Sequence, residues 1–136
     1  HADWTITAQL NGDFTQAKAY EETLAYLQSS PAPDVVYCEN DNMCFGVMQA
    51  LDELGIAYGD GGVTLISFDA GRTALSYCKD GKINLCAECN PLHGPRVRAL
   101  IEQLARGETP EKLSYMPEAL FTADTLTAEL LESRVY

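Results

Sequence analysis

Short apolar, β-branched runs alternate along this chain with longer stretches of helical periodicity, and that alternation limits the folds open to it. Four runs read as strands: Thr5–Leu10, Val35–Cys38, Val63–Phe68 and Ile83–Glu88, each bounded by turn residues. Helical patterns fall between and after them. The first runs from about Phe14 to Gln28, with Ala17, Tyr20, Leu24 and Leu27 on one face, and stops at Pro31 and Pro33. The second is Asn42–Leu54, closed by Gly55. A third lies near Arg72–Lys79. A fourth follows Pro91, spaces Val97, Leu100, Ile101 and Leu104 helically and ends at Gly107. The last covers about Ala123–Glu132. Strands alternating with helices imply an α/β fold, a parallel sheet flanked by helices on both faces.

The chain has 136 residues, enough for one domain, and no apolar run long enough to span a bilayer. Nine basic residues against twenty acidic ones give a net charge of −11. Phosphate affinity needs clustered Lys and Arg, so nucleic-acid binding is not expected. No basic segment followed by an apolar stretch opens these residues, so a signal peptide is not expected within them. Five cysteines, Cys38, Cys44, Cys78, Cys86 and Cys89, leave at least one unpaired within the chain. Cys86 and Cys89 form a CxxC, but no second CxxC exists and His1 and His93 are the only histidines. The cysteines therefore read as small buried residues, and neither metal nor cofactor is expected.

Ligands of parallel α/β sheets sit beyond the carboxyl ends of the strands. The residues there share one chemistry. The first strand leads into Asn11-Gly12-Asp13-Phe14, the second into Glu39-Asn40-Asp41; the third ends in Asp69 and the fourth in Glu88. Asn, Asp and Glu present paired heteroatoms that bridge neighbouring hydroxyls, and an aromatic such as Phe14 covers an apolar C–H face. Structural readings stand beside these. Asp41 suits the N-cap of the helix from Asn42, and Asp13 that of the helix from Phe14, whose ring also suits a staple or core position. Glu88 has the strongest case for a function, because a charge ending an apolar strand is costly unless paired. No nucleophile has a base near it in sequence: Ser67 lacks a His, and His93 lacks an orienting acid. Asp69 with Glu88 as an acid pair is the one enzymatic option, a glycoside hydrolase.

These residues carry a family resemblance. "NGDFTQAKAYEETLAYL", "ENDNMCFGVMQALDELGI", "LISFDAG", "YCKDGKINLCAECNP" and "HGP" resemble, in order and spacing, the C-terminal half of the ribose- and galactose-type periplasmic sugar-binding proteins of ABC transporters. "GDFTQAK", "AECNPLHGP", "PEKL" and "ESRVY" look closest to the galactofuranose-binding branch. The resemblance implies one lobe of the type I periplasmic binding protein fold and no enzyme activity. Phe14 would stack on the sugar, Asn40 would bond ring hydroxyls, and Asp69 and Glu88 would be the acids of the site. It implies a monosaccharide ligand, a permease partner, and a periplasmic or extracellular, lipid-anchored location. Ala70 stands where the family has Gly, and Cys38, Cys44 and Cys89 lie outside its pattern. In the family, the chain crosses a hinge near Glu88–Asn90 and lends a helix to the N-terminal lobe. Residues of about 92–106 are thus expected to lack their partner here and to self-associate. The effector domain of a sugar-responsive transcriptional repressor shares this fold and is the alternative reading.

Overall fold

Three of the four expected strands form a parallel ladder in chain order. In the computed structural model, which describes residues 3–136, they are β1 (Val35–Tyr37), β2 (Thr64–Asp69) and β3 (Leu85–Glu88). Val36 pairs with Leu65, Ser67 with Cys86, and Asp69 with Glu88. Helices α2 (Asp41–Leu54) and α3 (Arg72–Lys79) pack on the sheet, α1 (Gln16–Leu27) lies against α2, α5 (Ala128–Ser133) lies against α3, and α4 (Gly94–Ala105) buries none of its residues; a 3-10 turn spans Gly59–Gly61. The expected α/β architecture, a parallel-dominated sheet with helical flanks, is what forms.

The core explains the order. β2 alternates, burying Leu65 and Ser67 and leaving Thr64, Ile66 and Phe68 half-exposed. The buried side packs with Cys44, Val47 and Leu51 of α2, with Ala74, Leu75 and Cys78 of α3, and with Cys86 of β3. Each fully buried Leu there contributes about 2 kcal/mol. α1 lies on α2, where Gly46 allows backbone to approach backbone.

One expectation about strands is corrected, and one strand is new. Residues 5–10 form no strand. They are exposed and pair with nothing in the ladder, and a β-patterned run without a hydrogen-bonded neighbour stays extended coil. In their place a short antiparallel strand, β4 (Leu120–Phe121), completes the sheet beside β3. Its two residues are too few to show a period.

The caps also differ from expectation. Asn40, not Asp41, is the N-cap of α2, its Oδ1 accepting the Met43 N–H at 2.8 Å. Asp41 is the first helical residue and is buried. Thr15, not Asp13, caps α1, which begins at Gln16 because Asp13 and Phe14 have φ of 50° and 53°, incompatible with a right-handed helix. The final helix is shorter than expected and starts at Ala128. Gly55, with φ 66°, closes α2 as expected.

Candidate functional site

The carboxyl ends of β1, β2 and β3 open on one edge, and the four candidate residues lie along it. Phe14 comes there without a preceding strand. Its carbonyl accepts the Asn40 Nδ2–H at 3.2 Å, which ties the Phe14 loop to the start of α2. The Phe14 ring is 63% exposed. It is therefore neither a core residue nor a staple. Asn40 has both ends of its carboxamide engaged by backbone, yet it retains a second N–H and a second lone pair.

Asp69 ends β2 and is exposed. Its own carbonyl accepts the Cys89 N–H at 3.3 Å, and its carboxylate accepts no hydrogen bond among the described residues. Glu88 is its register partner on β3. The two carboxylates thus share an edge, which sequence spacing could not show.

Glu88 has a different environment. Oε1 accepts from Arg134 Nη1 at 2.7 Å and from the Tyr136 hydroxyl at 2.5 Å, and Oε2 accepts the Ala119 N–H at 3.0 Å. Burial pushes its carboxyl up, but the hydrogen bonds from Tyr136 and Arg134 and the Arg134 charge outweigh burial and hold it below its ordinary range. A general acid needs the reverse shift, so Glu88 is unsuited to protonating a leaving group. Tyr136 shifts the other way: burial and its bond to Glu88 push it up to about 12.

Sequence reasoning missed Arg134 and Tyr136, which close the edge from the chain's last residues. The guanidinium of Arg134 lies 4.1 Å from the Tyr136 ring centroid and 5.4 Å from that of Phe121. The one available signal was Glu88 itself, because a nearly buried carboxylate demands a cation. Asp41, whose sequence position suggests mainly a cap, is a tether, accepting from Ser67 and the Gly71 amide. Four of the five cysteines are buried and Cys89 is exposed, and the described residues contain no cluster suited to a metal ion.

An exposed ring, a carboxamide and two carboxylates thus lie along the strand ends of this α/β sheet. Residues 1–94 match the model of the periplasmic binding protein domain, and the chain belongs to that family. It is 32% identical over 129 residues to the galactofuranose-binding protein YtfQ of Escherichia coli, covering 92% of this chain and 40% of that protein. A crystal structure from Mycobacterium smegmatis in complex with β-D-fucofuranose superposes with a TM-score of 0.80 at 32% identity, over 88% of this chain and 39% of the other. The periplasmic binding component of the arabinose ABC transporter of Shewanella sp. ANA-3, bound to L-arabinofuranose, gives 0.82 at 26% identity, over 96% and 47%. The chain thus spans less than half the length of these relatives, two of which are named as binding proteins, one of them as part of an ABC transporter.

Proposed function

We propose that this chain is the C-terminal lobe of the solute-binding component of an ABC sugar importer, which captures a monosaccharide and delivers it to a permease. The observation that carries this reading is the Asp69 carboxylate, exposed and without a hydrogen bond of its own among the described residues, on the same edge as the exposed Phe14 ring and Asn40. Asp69 accepts from vicinal hydroxyls, Asn40 donates and accepts beside it, and Phe14 covers the sugar's C–H face. Glu88 contributes the acceptor position left on Oε2. The three relatives above carry galactofuranose, fucofuranose and arabinofuranose in their names, which supports a five-membered ring over a six-membered one. The protein would work in the periplasm or outside the cell, with or without a lipid anchor.

The same reading assigns residues of about 92–106 to the N-terminal lobe of the whole protein. No residue of α4 is buried, and Val97, Ile101 and Leu104 face solvent. Alone, this chain is proposed to self-associate through that face.

A sugar panel read by thermal melting of the two-lobed protein tests the function: galactose, arabinose, ribose and glucose, with ring form controlled. A ligand at a hundred times its Kd raises stability by about 2.7 kcal/mol. A shift with one sugar that disappears in Asp69→Ala and Asn40→Ala is the expected result. No shift with any sugar refutes it.

A further inference from the structure

The turn that carries Asp69 is held in an unfavourable backbone conformation. Asp69 has φ 95° and Ala70 φ 57°, consecutive non-glycine residues in the left-handed region. Each costs of order 1 kcal/mol or more unless its surroundings enforce it. Ala70 is fully buried, so the turn cannot relax outward without exposing its methyl group.

Two charged side chains grip one peptide of this turn from opposite ends. Asp41, 7% exposed, accepts the Gly71 N–H on Oδ2 at 2.8 Å and the Ser67 hydroxyl on Oδ1 at 2.5 Å. Arg134 donates Nε and Nη2 to the Ala70 carbonyl at 3.0 and 2.8 Å, while Nη1 pairs with Glu88. The Ala70 carbonyl and the Gly71 amide belong to the same peptide group. The negative side chain holds its N–H and the positive one its oxygen, and charge-assisted bonds of this kind are the strong ones. The arginine is itself anchored: the Arg72 amide donates to the Tyr136 carbonyl at 2.8 Å, and the Arg72 guanidinium donates to the Arg134 carbonyl. Since the Asp69 carboxylate makes no hydrogen bond of its own among the described residues, the backbone beneath it sets its direction.

We propose that Asp41 and Arg134 are positioning residues for ligand recognition, clamping the Ala70–Gly71 peptide between them so that the strained turn presents Asp69 in one fixed direction. The inference rests on the sugar-binding reading. It assigns Glu88 a further task, orienting the arginine of the clamp, and it accounts for Ala at position 70, because a turn held at both ends does not need glycine. Fixing a ligand-binding group before the ligand arrives lowers the ordering cost of binding.

The experiment is a double-mutant cycle in the two-lobed protein. Asp41→Asn and Arg134→Gln are each made alone and in the Asp69→Asn background. Sugar affinity is measured by calorimetry, and exchange of the Gly71 amide by NMR. Each single variant should weaken affinity about tenfold when Asp69 is present and less than about twofold when it is not. Gly71 exchange should accelerate about tenfold or more in both. Equal affinity losses in the two backgrounds would overturn the proposal, because a role confined to general stability does not depend on Asp69. If Arg134→Gln fails to fold, Arg134→Lys keeps the charge, loses the forked geometry and carries the same comparison. A wild-type protein that binds no sugar refutes the sugar reading itself. Gly71 exchange then decides the clamp alone, and unchanged exchange in both variants overturns it.

Discussion

Arg134 and Glu88 form an ion pair with 2.7 Å between Nη1 and Oε1, their side chains only 12% and 8% exposed. It ties the last residues of the chain to the end of β3. Removing one partner from such a pair strands the other, and Arg134→Gln should cost about 3 kcal/mol at pH 7. A urea midpoint equal to that of wild type would contradict this.

The same pair sets an acid limit on stability. Glu88 is held below its ordinary value of 4.5, so it adds stability above that pH and loses it as pH falls through its lower folded-state value. Asp41 acts in the opposite sense. Burial raises its carboxyl despite the hydrogen bonds from Ser67 and Gly71, so acidification relieves its cost. Melting temperature should therefore drop more steeply below pH 4.5 in wild type than in Glu88→Gln, which leaves the Asp41 contribution in place. Parallel melting curves for the two proteins from pH 7 to 3 would show that Glu88 contributes nothing there.

How far the sequence reveals this molecule depends on what each residue answers to. α3 lies where its pattern predicts, and β2 within one residue, because period 2 and period 3.6 are local properties. The run 5–10 has the pattern of a strand, but a strand needs a neighbour, and pattern cannot supply one. Phe14 was assigned to a helix because periodicity is blind to the sign of φ. The shared edge of Asn40, Asp69 and Glu88 was legible because strand ends point to one side of a parallel sheet. Arg134 and Tyr136 were not: they lie 46 and 48 residues beyond Glu88, and no periodicity links them to it.

Helix α1, which follows Phe14, depends on one glycine of α2. A Cβ on Gly46 would lie 2.3 Å from the Gln16 carbonyl oxygen and 2.8 Å from the Tyr20 nitrogen, both backbone atoms of α1. Neither atom can move without moving the helix. Gly46→Ala should destabilise by about 1–3 kcal/mol. Gly61→Ala meets nothing within 4 Å and should stay within about 0.5 kcal/mol of wild type. Denaturant midpoints compare the two, and equal midpoints would mean that α1 does not pack on α2 this closely. Because α1 carries the Phe14 loop, Gly46→Ala should also weaken sugar binding.

The apolar stripe of α4 should govern the state of association of the isolated 136-residue chain. Val97, Ile101 and Leu104 are 50%, 60% and 60% exposed. Sedimentation velocity should show mass rising with concentration, and Ile101→Glu with Leu104→Glu should return the chain to a monomer. The double variant should melt close to wild type at low concentration, since neither side chain contributes to the core. A wild-type chain that stays monomeric at high concentration would sink the assignment of this face.

The cysteines should divide into one reactive thiol and four inert ones. Cys38, Cys44, Cys78 and Cys86 are buried, and Cys89 is exposed. The hydrogen bond with Cys38 and burial push the Cys44 thiol up, and the hydrogen bond with Cys78 and burial do the same to Cys86. Thiolate is the reactive form, so these two are disfavoured by charge as well as by access. A disulfide reagent at pH 8 should titrate one equivalent rapidly in the reduced native chain and all five in denaturant. Cys89→Ser should abolish the fast phase. Two or more fast equivalents would mean that the layer between the sheet and α2 or α3 opens in the native state. Because Asp41 and its partner Ser67 belong to that layer and hold the Asp69 turn, sugar bound at that turn in the two-lobed protein should slow the four remaining thiols further.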